Sequence, residues 1–357
     1  MHRLRYPFFI ATGLAFLLLA SSCSLVPQAA QPTLAAPHVP VDHFNAAGNV
    51  LISDQFNNRI VEVAPDGHVV WTFGSGNPKL CNPGPGTIIG LNDAERLSGG
   101  LTLTVGTGIP AGSASYPKGC NDNRVIVVDQ QGHIVWQYGQ AGVTGSGANE
   151  LNVPVFAIQL PNRNIMVVDQ GNNRVIEIDR NSKQIVWSYG PKSGPGALNN
   201  PNSAELLPNG NILIGDENNN RVIEITRAGA IVWEYSQGLS GAAFASRLPN
   251  GDTLITDSSH SRVLEVTPAK KTVFEYFTNN DPGSNSAPLP TNAVELSSGA
   301  IMIADQFNNR VLMINPKVQF EYGMLNVTGN SPNQLNGPYT AFVIGDYTGQ
   351  TPPPPTF

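Results

Sequence analysis

All four tryptophans of this 357-residue chain, Trp71, Trp136, Trp187 and Trp233, stand twelve or thirteen residues after an arginine. Those arginines, Arg59, Arg124, Arg174 and Arg221, continue as Arg262 and Arg310, at spacings of 65, 50, 47, 41 and 48 residues. Phe274 and Phe320 take the tryptophan's place, or nearly so, in the last two copies, and a second aromatic follows two residues later each time: Phe73, Tyr138, Tyr189, Tyr235, Tyr276 and Tyr322. Five of the arginines have an aspartate five residues earlier: Asp54, Asp169, Asp216, Asp257 and Asp305. The copy with Arg124 lacks it. Such register marks a tandem repeat, whose units bury their apolar faces against one another.

Each unit reads as strands. In residues 206–235, LLPNGNILIGDENNNRVIEITRAGAIVWEY, short β-branched runs alternate with turn signals. Gly210 supplies a hairpin turn, and Asn218-Asn219-Asn220 a second one after Asp216. Each copy from the second on opens with a comparable strand carrying a small residue, Ala94, Ala157, Ala204, Ala245 or Ala293, which suits an innermost strand where units crowd around an axis. Four strands per unit at this period predict an all-β, six-bladed β-propeller with four-stranded antiparallel blades. The first copy has only a weak inner strand, at 41–45, while residues 339–344 form an inner strand with no blade after it. The expected fold is therefore a ring closed by a C-terminal strand added to the N-terminal blade, which removes two exposed edges.

The motifs G-x-L-N-x-P, N-G-N-I-L-I-x-D, N-N-R-V-I-E-I and G-x-I-V-W-x-Y-G resemble the NHL repeat over nearly the whole chain after residue 40. Copies one, three, four and six carry them most fully, whereas copy five has Ser258-Ser259-His260-Ser261 in place of the Asn-rich turn. NHL-like arrays are commonly six-bladed, which agrees with the count. The Leu-Pro-Asn-Gly-Asn turn and Ile-Val-Trp-Glu strand also look like bacterial arylsulfotransferase propellers, over less of the pattern.

The ends predict export. Residues 1–22 have a basic start and an apolar run at 8–20, a signal-peptide pattern. Leu19-Ala20-Ser21-Ser22-Cys23 resembles the lipobox of bacterial lipoproteins, which implies a lipidated Cys23; cleavage by an ordinary signal peptidase is the alternative. Residues 23–40 read as a flexible tether, 41–346 as the propeller, and 347–357 as a Pro-rich tail. The expected location is the periplasmic face of an outer membrane or the cell surface, as a monomer. Removing the leader with Arg3 and Arg5 takes the formal charge from −6 to −8. That balance argues against nucleic acid as a partner. Cys81 and Cys120 form an even pair in an oxidising compartment and are expected to make a disulfide, with a metal pair as the competing reading.

The repeated pairs, Asp54 with Arg59, Asp169 with Arg174, Asp216 with Arg221, Asp257 with Arg262 and Asp305 with Arg310, are expected to tie their own blades, because a catalytic group is needed once and not in every blade. His43 beside Asp42 is a candidate acid/base on the weak inner strand. His68 and His133 sit in turns. Glu95, Glu205 and Glu295 recur on inner strands, but Glu295 is out of parity with the others and so faces the other way. No residue pattern requires a cofactor, and quinone binding has no dedicated motif here. Two functional classes follow: a binding scaffold for a protein, small-molecule or glycan ligand at the variable loops 75–90, 106–120 and 278–290, or an enzyme of group transfer, lyase or hydrolase type at the axial mouth.

Overall fold

The computed structural model describes residues 43–112 and 116–346. The leader, Cys23, the tether, Asp42 and the Pro-rich tail lie outside the described residues. Six four-stranded antiparallel sheets form the domain. The inner strands are Pro338–Val343 in blade 1 and then Leu91–Arg96, Pro154–Gln159, Pro201–Leu206, Ala242–Arg247 and Pro290–Glu295 in blades 2 to 6. In blade 4 they are followed by Ile212–Asp216, Arg221–Ile225 and the outer strand Ile231–Tyr235. Second strands such as Ile212–Asp216 are buried at every position, because the neighbouring blades cover both faces.

The ring closes as expected. Pro338–Val343 pairs antiparallel with Val50–Asp54, with Val50 opposite Val343 and Ile52 opposite Ala341. The Ser53 and Thr340 hydroxyls lie 2.9 Å apart across this pairing. Residues 43–48 are turn and not strand, so the expected weak inner strand at 41–45 does not form in its described part. The C-terminal segment supplies the inner strand of blade 1 alone, which aligns Ala341 with the other five alanines.

Each aspartate sits directly opposite its arginine in the strand register, as Asp216 does opposite Arg221. The Arg Nε donates to Asp Oδ2 at 2.7–2.9 Å in blades 1, 3, 4, 5 and 6, and every one of these carboxylates is fully buried. The turn between them is one turn of 3-10 helix ended by a left-handed residue, Asn58, Asn173, Asn220, Ser261 or Asn309. Asparagine accepts that conformation at low cost, which explains the N-N-R spelling. The middle asparagine, Asn57, Asn172, Asn219 or Asn308, donates to the same carboxylate at 2.7–2.8 Å. In blade 5 His260 does so instead, at 2.9 Å, so the departure from the Asn-rich turn conserves the contact.

Blade 2 recovers its missing aspartate from another strand. Asp122, two residues before Arg124, places its carboxylate against the guanidinium at 2.5 Å. Gly106 stands where the other blades have the aspartate; a side chain there would meet the Asp122 carboxyl at 2.4 Å. The inserted segment lengthens the hairpin Thr102–Ile109 with Cys120–Val128. Cys81 and Cys120 are disulfide-bonded, Cα to Cα 5.3 Å, and pin the loop after blade 1 to that hairpin.

Both aromatic positions pack against the apolar clusters between blades, Trp136 inside one and Trp71, Trp187 and Trp233 at their edges. The second aromatic fills the core: Phe73, Tyr138, Tyr189, Tyr235 and Tyr322 are at most 6% exposed. Each tryptophan also bridges two blades, its indole N–H donating to a turn carbonyl of the next one: Trp71 to Gln130, Trp136 to Arg180, Trp187 to Arg227, Trp233 to Pro268, at 2.8–3.1 Å.

Two outcomes test this frame. Truncation after Met324 removes the inner strand of blade 1 and should lower the cooperativity of urea unfolding and promote aggregation, as followed by light scattering; a truncated protein melting like the whole would overturn the closure as a stabilising contact. Asp216→Ala strands the Arg221 guanidinium in a buried site and should cost about 3–5 kcal/mol in urea denaturation.

Candidate functional site

The lead-in segments, the turns after each second strand and all the long loops lie at one end of the ring, because four antiparallel strands return the chain there. The 1–2 and 3–4 hairpins lie at the other. The candidate site is the axial mouth of the lead-in end.

The axis beneath it is filled. At the two inner-strand positions flanking the alanine, blade 3 carries Phe156 and Ile158, blade 5 Phe244, blade 6 Val294 and blade 1 Phe342, all at most 5% exposed and part of one apolar cluster. Phe156 and Phe244, on blades that are not neighbours, meet edge to face at 5.6 Å. Polar residues at the same positions reach sideways to the next inner strand. Asp93 accepts from Ala157 N at 3.1 Å and Glu95 from Gln159 N at 3.0 Å; Glu205 accepts from Arg247 N at 2.7 Å and Asn292 from Ala341 N at 3.3 Å. Glu295 lies one residue out of step, as its parity predicts.

Asp93 and Glu95 are 1% exposed, and each keeps one oxygen with no hydrogen-bond partner among the described residues. Burial pushes the Asp93 carboxyl up to about 7. Burial first, and the neighbouring Asp93 charge second, push Glu95 well above the usual carboxylate range. Two acids on the axis thus hold protons that the unfolded chain releases near pH 4.

The mouth is built from the residue that follows the repeat aspartate and from the second residue of each inner strand. Gln306 donates to Gln55 at 2.8 Å and Gln55 to Asn92 at 2.6 Å, linking blades 6, 1 and 2. Tyr339 of blade 1 reaches blade 4 opposite, its hydroxyl 3.0 Å from Asn202 Oδ1, and so spans the axis as a cover. Beside it stands Glu217 of blade 4, with Gln170 Nε2 at 3.5 Å. Glu217 keeps some exposed area yet is surrounded by protein within the concave mouth, and desolvation pushes its carboxyl up to about 7. On the rim, Phe56 and Phe307 stack at 6.4 Å, and Phe307 is 36% exposed. The mouth therefore offers hydrogen-bonding amides, one carboxyl titrating near neutrality and an exposed aromatic face.

The sequence candidates fall elsewhere. His43 is in an exposed turn at the hairpin end, away from the mouth, its carbonyl accepting from Asn49 Nδ2 at 3.1 Å. His68 and His133 pair with Asp66 and Asp129 in exposed turns. The Asp–Arg pairs face inward to the lead-in segments and not into the mouth. Sequence reasoning missed Glu217, Gln55, Gln306 and Tyr339. The available signal was positional: the residue after the repeat aspartate is glutamine in three blades, Gln55, Gln170 and Gln306, and Glu217 in a fourth.

A proton linkage can be measured. The folded values of Asp93, Glu95 and Glu217 lie above their unfolded ones, so the native state binds more protons and stability falls as pH rises from about 4 to about 7. The melting temperature should drop between about pH 5 and about pH 8. Asp93→Asn, which stays neutral and still accepts from Ala157 N, should flatten that drop; an unchanged profile would exclude Asp93 as its source.

A family model described as outer membrane protein assembly factor BamB matches residues 56–236 and, in a second placement, residues 121–317. The two starts differ by 65 residues, the spacing of Arg59 and Arg124, so the second placement is displaced by one blade. No curated protein matches the chain. Among solved structures, a protein of unknown function from Bacteroides caccae is 15% identical with a TM-score of 0.57, over 79% of this chain and 97% of that one. A streptogramin B lyase structure is 17% identical with a TM-score of 0.48, over 71% of this chain and 72% of that one. Virginiamycin B lyase from Staphylococcus aureus is 12% identical with a TM-score of 0.48, over 79% and 86%. At such identities the likeness is one of fold.

Proposed function

Because this chain belongs to the family described as outer membrane protein assembly factor BamB, we propose that it is an extracytoplasmic binding scaffold, anchored by lipid on Cys23, that takes a protein, small-molecule or glycan ligand at the lead-in end of the ring. The observation that carries this reading is the closed mouth. Its floor is a packed axis covered by the Tyr339–Asn202 contact, while Phe307 is exposed on the rim and Glu217 keeps some exposed area within the mouth. Amides already bonded to one another hold a surface in shape, which is what recognition requires. The resemblance of the repeat to NHL arrays is compatible with this role.

Glu217 favours the enzymatic alternative, since a carboxyl titrating near neutrality suits general acid–base catalysis. It has no second catalytic group beside it among the described residues.

A thermal-shift screen of the exported protein against peptides, glycans, sulfated phenols and quinones distinguishes the two. A ligand of the native state raises the midpoint. The scaffold reading expects a ligand recovered chemically unchanged, whose shift is lost in Phe307→Ala and Glu217→Gln. Recovery of a converted product would establish the enzyme instead, and shifts abolished only by changes at the hairpin end would overturn the mouth as the site. Cys23→Ala should move the protein from the membrane to the soluble fraction.

A further inference from the structure

We propose that the ring has one built-in seam, between blades 5 and 6, and that it opens there and not at its covalent ends. The other five junctions share a set of polar ties. The segment entering a new blade gives one backbone N–H to the aspartate of that blade and the next N–H to the left-handed asparagine of the blade it has just left. Asn199 N meets Asp216 and Asn200 N meets Asn173; Asn152 and Val153 meet Asp169 and Asn123. Ser240 and Gly241 meet Asp257 and Asn220; Ile89 and Gly90 meet Asp122 and Asn58. At the closure, Asn336 and Gly337 meet Asp54 and Asn309 at 2.7 and 3.0 Å. Four junctions add the indole bridge. Three add a buried or half-buried carboxylate that receives an arginine of the next blade, stacked on the tryptophan: Glu62 with Arg96, Glu177 with Arg227, Glu224 with Arg247.

Between blades 5 and 6 each tie is replaced by a residue that cannot make it. Pro288 stands at the first entering position and has no N–H; Asp305 Oδ1 accordingly has no hydrogen-bond partner among the described residues. Leu289 follows in the same left-handed conformation as Asn200, φ 49° against 51°, but Ser261 replaces the asparagine that would reach its N–H. Phe274 replaces tryptophan and has no donor. Glu295 holds the inner-strand position of Arg96 and Arg247, and its charge helps to raise the carboxyl of Glu265, after burial and the contact with Asp252 and against the Asn250 hydrogen bond, which lowers it. What joins these blades is an apolar cluster that includes Leu254, Val263, Ala293 and Ile303, with one polar link through Thr278, which donates to Ser261 O and accepts from Asn308 Nδ2 at 3.0 Å. The long loop 278–290 is tied to blade 6, by Arg310 to Asp281 at 2.6 Å and Asn308 Oδ1 to Asn285 N at 2.7 Å. Apolar contact is non-directional and re-forms after parting, so this junction can separate with fewer hydrogen bonds broken than any of the other five.

Hydrogen exchange on the whole folded protein, read by mass spectrometry, tests the seam. Amides of Pro290–Glu295 and Thr272–Phe277 should exchange about tenfold or more faster than their equivalents in Ala242–Arg247 and Ile231–Tyr235, as expected where several polar ties are missing. A second variant supports the cause: Ser261→Asn with Phe274→Trp should slow exchange at the seam and leave the other junctions unchanged. Uniform protection at all six junctions, or fastest exchange at Pro338–Val343, would overturn the proposal. The wild-type exchange pattern decides even if the double variant fails to fold.

Discussion

One buried carboxylate per blade organises this ring. In blade 4, Asp216 accepts from the Arg221 guanidinium, the Asn219 amide and the Asn199 N–H, while Arg221 Nη2 donates to Ala197 of the incoming loop and Nη1 lies 3.6 Å from Glu234. A carboxylate in such a place would be costly if it were unpaired. Its partners come from the strand beside it, from its own turn and from the segment entering the blade. The charge is therefore tolerated only when all three are in position, and it selects that arrangement over looser ones.

Blade 2 shows that the requirement is for a carboxylate at a point in space. Its charge comes from Asp122 on the third strand, and Gly106 clears the volume for it. Blade 5 makes the same point with His260 in the role of asparagine. Conversely, Pro288 before blade 6 removes one donor and leaves an acceptor unmatched. The ring tolerates this because apolar packing persists where the polar ties end.

The axis has a different logic. Inner-strand residues either fill the centre, as Phe156, Phe244 and Phe342 do, or bridge to the backbone of the next strand, as Glu95 and Glu205 do. A filled axis moves any recognition to the ends of the ring. The hairpin end carries repetitive tight turns. The lead-in end carries the insertions, the disulfide, Phe307 and Glu217, so the chain's departures from repetition gather where a ligand would meet it.

How much of this was legible follows from distance along the chain. Strands, blade count, the Asp–Arg pairs and the closing strand rest on patterns within 50 residues or on counting strands, and all were readable from the spacing of Arg59 to Arg310 and of the tryptophans. The second parity of Glu295 was readable for the same reason, since side-chain direction in a strand follows from period two. The role of the tryptophans was not, because the carbonyl each one binds lies 35 to 59 residues away. Nor was the mouth: Tyr339 meets Asn202 across 137 residues, and Gln306 meets Gln55 across 251. Sequence by itself determined the repeated unit, because each unit is specified by local alternation and turn chemistry. Only the tertiary structure decided what faces the axis and the mouth, because those surfaces exist once six inner strands converge and desolvate one another.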